Sequence, residues 1–166
     1  MKLMLVTMIM LVCTIISLIY VKQIKNHTKS IMQMILLIEN ISILIEYKNL
    51  SITEIFNVIC YSDNYSLLIF LENIKNGIKE YHETLNRVFA DKGLLNIFDC
   101  DDIEYMKGFF SMLGTSDTNG QLVNCSLYKK LFEKKYSQLV SIEKSKCKCT
   151  STLSIGLGLV ISIFLI

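Results

Sequence analysis

Six cysteines, two histidines and a run of carboxylates are the side chains in this sequence that could do chemistry, and their spacing argues against a built site. Cys13 lies in an apolar run, Cys60, Cys100 and Cys125 stand alone, and only Cys147-Lys148-Cys149 brings two thiols together. That pair lacks the two-residue gap and the second pair of a zinc knuckle. His27 and His82 are far apart, and neither has the Glu-x-x-His or His-Glu-x-x-His context of a metal site on a helix. Asp99, Asp101, Asp102 and Glu104 cluster, but a helix start attracts carboxylates for capping and dipole reasons alone. No nucleophile with a base, phosphate loop or carboxylate pair stands out. The expectation is a chain with no catalytic residue, no metal and no cofactor.

What would position these residues is a set of helices held between two apolar ends. Leu3 to Val21 is an apolar run of about nineteen residues, long enough to cross a ~30 Å hydrocarbon layer. The stretch from Thr152 to Ile166 has no charged side chain either, and with Thr150 and Ser151 it nearly crosses the same layer, so the chain is expected to end in the membrane. Lys22, Lys25 and Lys29 follow the first run and Lys144, Lys146 and Lys148 precede the second, while only Lys2 lies beyond. Basic residues mark the cytoplasmic side, so the intervening region is expected to be cytoplasmic. The first run is read as an uncleaved anchor, because its apolar core exceeds that of a signal peptide and no small-x-small pattern precedes Lys22. Asn-x-Ser/Thr triplets such as Asn26-His27-Thr28 are then idle.

Composition fits a small all-α membrane protein. The chain has no proline, which favours long helices. A net charge of +2 is too small to suggest a nucleic-acid partner, and no stretch interleaves aromatic residues with a basic stripe. The predicted organisation is a transmembrane helix with its basic flank over residues 1–24, a helical bundle domain over 25–149, and a second transmembrane helix over 150–166.

Within the bundle, Lys25 to Tyr47 is apolar enough to resemble another span. Gln33, Glu39, Asn40, Ser42 and Glu46 interrupt it, and an ionised group near a span's centre costs roughly 3 kcal/mol on insertion scales. A bundle helix continuing from the first run and burying Ile31, Ile35, Ile38 and Ile45 fits better. Ser51-Ile52-Thr53-Glu54 has the spacing of a capping box, predicting a short helix that buries Ile55, Phe56 and Ile59 and ends near Ser62-Asp63-Asn64. Apolar residues from Leu67 to Val88 keep helical spacing from Tyr65 onward, with two helices meeting at Asn76-Gly77. Asp91-Lys92-Gly93 reads as a turn. Asp101-Asp102-Ile103-Glu104 predicts a further helix start, burying Ile103, Met106, Phe110 and Leu113 and closing at Gly114, a left-handed terminator. Thr115 to Gly120 is then the longest polar loop. From Gln121, apolar residues Leu122, Cys125, Tyr128, Phe132, Leu139 and Ile142 recur at about 3.5 residues, predicting one long helix running into the last span.

The ordering of anchor, basic flank, helical domain and glycine-containing final span resembles the stage III sporulation protein AB family over essentially the whole chain. The local matches are Tyr47 with Leu50-Ser51-Ile52-Thr53-Glu54, Phe109-Phe110-Ser111-Met112-Leu113-Gly114 with Asp117 and Gln121, and Glu143-Lys144 leading to Ile155-Gly156-Leu157-Gly158. The sequence departs from the family at Leu50-Ser51-Ile52, where a proline is usual, and near Tyr81, where a tryptophan is expected. The resemblance implies a non-enzymatic scaffold in the mother-cell membrane, part of a secretion-like complex between mother cell and forespore and distantly like the inner-membrane platform protein of type II secretion. Its implied partners are a secretion-type ATPase, other membrane subunits and the lipid bilayer, with no nucleic acid and no small-molecule substrate. A membrane-anchored sensor or adaptor unrelated to secretion is the alternative.

Six residues are singled out for structural or interaction roles. Gly114, Asp117 and Gln121 flank the polar loop, where Asp117 could cap the long helix or face a partner. Ser154, Gly158 and Ser162 recur every four residues along the last span, a smooth strip that another helix could approach.

Overall fold

A computed structural model describes the backbone of every residue except Met1, Asn49, Ser62 and Ile166. Side chains are described outside residues 1–7, 9, 10, 13, 49, 62, 63 and 147–166. Six α-helices and no strand occur among the described residues: α1 (Lys2–Lys48), α2 (Ile52–Cys60), α3 (Phe70–Asn76), α4 (Tyr81–Phe89), α5 (Cys100–Met112) and α6 (Thr118–Leu165). Short 3-10 turns at Asp63–Tyr65, Ile78–Glu80 and Lys92–Asn96 join them.

The chain divides into two compact units, one made of Lys29–Tyr136 and the other of Met1–Thr28 with Ser137–Ile166. Helices α1 and α6 contribute to both. The boundaries expected at 24/25 and 149/150 therefore fall inside continuous helices, as the absence of proline allows. Among the described residues one stretch is long and apolar enough to cross a membrane, Thr14–Lys48 near the N-terminus, and 61% of its most apolar window is buried within the protein. Its second half is core helix: Ile31, Met34, Leu37, Ile38 and Ile41 are fully buried. The side chains of 150–166, where a second span is expected, lie outside the described residues; the helical backbone there continues to Leu165.

The unit Lys29–Tyr136 is a bundle in which α2, α3, α4 and α5 each pack on the next. Phe110 of α5 is its aromatic centre. Its ring lies 6.1 Å from Phe56 of α2, 5.8 Å from Phe70 of α3 and 5.9 Å from Phe89 of α4, tilted, edge and stacked contacts that aromatic rings favour. Tyr81 adds a polar tie: its partly buried hydroxyl donates to the Phe110 carbonyl at 2.7 Å, and desolvation raises its pKa well above the phenol range.

Local sequence signals explain most boundaries. Ser51 and Glu54 form the capping box of α2: the Ser51 amide donates to the Glu54 carboxylate at 2.8 Å and the Glu54 amide to Ser51 Oγ at 3.4 Å. Gly77 closes α3, as Asn76-Gly77 predicts. Several expectations need correction. The helix expected from Tyr65 begins at Phe70, because buried Gln33 of α1 takes the Leu67 amide at 3.0 Å and the Asn40 amide bonds the Tyr65 hydroxyl. Helix α5 starts at Cys100, earlier than Asp101-Asp102 suggests, and Ile103 is only partly buried, whereas its close just before a left-handed Gly114 is as expected. The polar loop is shorter than Thr115 to Gly120, since Thr118, Asn119 and Gly120 already form the first turn of α6. Ile142 is 41% exposed, while Phe132 and Leu139 are buried.

Candidate functional site

The corner between α5 and α6 gathers Gly114, Asp117 and Gln121. Leu113 is extended (φ −66°, ψ 128°) and ends α5, and Gly114 then turns the chain through φ +74°, a left-handed conformation that costs an L side chain roughly 1–2 kcal/mol. A β-carbon at Gly114 would also overlap Ile52 Cδ1. Asp117 caps α6: its Oδ1 accepts the Gly120 amide at 3.0 Å. Gln121, one turn into α6, reaches back twice. Its Oε1 accepts the Gly114 amide at 3.3 Å and its Nε2 donates to the Ser116 carbonyl at 3.0 Å. The three residues form one exposed, mutually bonded corner whose chemistry is that of shape. The other three, Ser154, Gly158 and Ser162, lie outside the residues whose side chains are described.

A second polar arrangement sits at the start of α5, where Asp99 is the cap and Asp102 occupies the third helical position. The Asp99 amide donates to Asp102 Oδ2 at 3.1 Å. Asp102 is fully buried, and Lys135 of α6 stands 3.2 Å from its Oδ1 and 3.3 Å from Asp99 Oδ2. Burial pulls the Lys135 pKa down, but the two carboxylates outweigh it and raise the pKa overall. The Asp-x-x-Asp spacing of Asp99 and Asp102 could have revealed the cap two residues before Asp101. Lys135, thirty-six positions from Asp99, carries no such signal.

The accessible surface of this unit includes a face of α1. Met32, Leu36, Ile43 and Tyr47 are 39%, 39%, 47% and 77% exposed and recur at helical spacing. Beside them the Lys129 ammonium pairs with Glu39 at 3.1 Å. A shallow cleft of about 620 Å³ lies between α2 and α3, with Ile59, Leu68 and Leu71 below Glu72 and Lys75. Cys60 also lines it, but burial raises the pKa of its thiol, as it pushes that of Cys125 up to about 11. Neither thiol is activated as a nucleophile.

In the other unit, Lys146 Nζ of α6 donates to the Tyr20 hydroxyl of α1 at 2.9 Å and lies 5.5 Å from the ring centroid. On the N-terminal side of Tyr20, Met8, Leu11, Ile16 and Leu18 are all more than 60% exposed.

Residues 2–166 match a family model described as stage III sporulation protein AB. No curated protein and no solved structure matches the chain.

Proposed function

Because the chain belongs to the stage III sporulation protein AB family, with the role in sporulation that membership implies, we propose that it is a non-enzymatic membrane scaffold of a secretion-like complex between mother cell and forespore. The observation that carries this reading is the extent of the family match, 2–166, which takes in both apolar ends and the bundle between them. In this reading residues 3–21 and 150–166 span the mother-cell membrane, and the bundle faces the cytoplasm, where lysines flank both spans. The bundle holds a secretion-type ATPase against membrane subunits of the channel. It needs no cofactor for that work. Two features support a holding role: a bundle core knit by aromatic contacts around Phe110, and an apolar face of α1 that remains open on its surface.

Affinity capture of the tagged full chain from sporulating cells, solubilised in mild detergent, tests the proposal. Recovery of a secretion-type ATPase together with integral membrane proteins is expected. Capture of a kinase or other signalling protein without the ATPase would favour the sensor or adaptor reading instead.

A further inference from the structure

The unit made of Met1–Thr28 and Ser137–Ile166 carries an abrupt change of surface along α1. From Met8 to Ile19 the described apolar side chains point into open space, with Met8 68%, Leu11 64% and Leu18 65% exposed. Beyond Tyr20 the surface becomes basic, with Lys22 and Lys25 exposed on α1 and Lys144 and Lys146 exposed on α6. The Lys146 to Tyr20 hydrogen bond, 2.9 Å long, sits at the change itself.

That contact also sets the level of α6 against α1. Helix α1 leaves this unit after Thr28 and α6 returns to it at Ser137, so the two run in opposite senses through it. Tyr20 is about eight residues before the exit and Lys146 about nine after the return, equal heights of roughly 12–14 Å at 1.5 Å per residue. On the other side, Leu3 to Tyr20 and Cys149 to Leu165 offer about seventeen uncharged residues each, roughly 26 Å of helix and close to a hydrocarbon thickness of ~30 Å.

We propose that Tyr20 and Lys146 mark the water boundary of the bilayer, and that Lys22, Lys25, Lys144 and Lys146 form a collar that binds anionic phospholipid headgroups. The inference rests on the membrane reading above. Tyrosine suits the boundary because its ring is apolar and its hydroxyl wet, and a lysine stem can lie along apolar surface while its ammonium reaches the headgroups. Charge selects the headgroup. Within 20–28 and 137–146 the only carboxylate is Glu143, against the four lysines of the collar. Among the described residues, Lys22, Lys25 and Lys144 make no ion pair. Several lysines next to an anionic surface add their attractions, and salt screens them.

The chain has no tryptophan, so Tyr20→Trp places a single tryptophan at the boundary, excited selectively at the red edge of absorption where tyrosine does not absorb. The full-length variant is reconstituted into vesicles of phosphatidylcholine with phosphatidylglycerol, one or the other lipid brominated near the headgroup end of its acyl chain. Expected is quenching by both, with association about fivefold or more in favour of brominated phosphatidylglycerol and lost in high salt. A variant that also carries Lys22→Gln, Lys25→Gln, Lys144→Gln and Lys146→Gln, with unchanged helical circular dichroism, should quench equally with either lipid. Equal quenching in the lysine-containing protein would overturn the collar and leave the membrane reading standing. Quenching only by bromines deep in the acyl chains, or none at all in protein that resists carbonate extraction, would overturn the boundary. Release of the protein by carbonate would remove the membrane reading itself.

Discussion

The side-chain carbonyl of Gln121 accepts the backbone amide of Gly114 at 3.3 Å, across the corner where α5 gives way to α6. The same side chain donates to Ser116, so one glutamine braces both ends of a turn whose glycine stands at φ +74°. The corner joins α5 to the longest helix within the bundle. Its geometry depends on a residue without a β-carbon.

Gly114→Ala in the full chain should therefore lose about 2–4 kcal/mol, adding left-handed strain to overpacking against Ile52. The two contributions separate in a double-mutant cycle. Ile52→Val removes the Cδ1 atom that the new β-carbon meets, so it should recover the packing part and leave the strain. Thermal melting in detergent, followed by circular dichroism, measures both. A Gly114→Ala protein that melts with the unsubstituted chain would show that the corner relaxes freely.

Asp117→Ala should lower stability by about 1 kcal/mol, because the Gly120 amide loses its acceptor. Asp117→Asn should melt near the unsubstituted protein, since asparagine caps as well as aspartate. Sporulation efficiency of the two variants then distinguishes a cap from a contact. A stable Asp117→Asn protein that fails to support sporulation would mean that the charge itself meets a partner.

Lys135 gives the bundle an alkaline limit. Its pKa is raised in the folded chain above the ordinary 10.5, by Asp102 and Asp99 acting against burial. The ion pair's contribution is thus complete below pH 10.5 and is lost as pH climbs through the raised value. Lys135→Met should lower stability at neutral pH, by on the order of 2–3 kcal/mol, because the buried Asp102 carboxylate loses the ammonium beside it. It should also flatten the alkaline fall in melting temperature. Lys135→Met with Asp102→Asn should recover much of the loss, because the buried side chain then carries no charge for the missing ammonium to balance.

Asn119 is exposed in the first turn of α6 and reports sidedness. In a cysteine-free chain, Asn119→Cys should react with an impermeant maleimide only after cells are permeabilised. Labelling in intact cells would place the bundle outside and remove the contact with a cytoplasmic ATPase.

Much of the helical plan was written locally. Ser51 and Glu54 are three residues apart and cap α2 through their own backbone. Gly77 and Gly114 mark helix ends near where they stand, and the apolar spacing from Ile31 to Ile45 finds the core face of α1 without knowledge of what covers it. These signals act within one or two helical turns, so the sequence by itself determined them. What it could not determine were bonds between distant segments. Gln33 reads as an interruption of an apolar run, yet it is buried because the Leu67 amide, thirty-four positions on, meets its side chain. Asp102 reads as one of several helix-start carboxylates, yet it is fully buried, with Lys135 of a distant helix 3.2 Å away. Tyr20 and Lys146, 126 positions apart, share a hydrogen bond that no spacing foretells. Local propensity decides where a helix begins; tertiary structure alone decides which polar groups can leave water, because a buried donor or charge is tolerable only beside the partner that replaces its hydration.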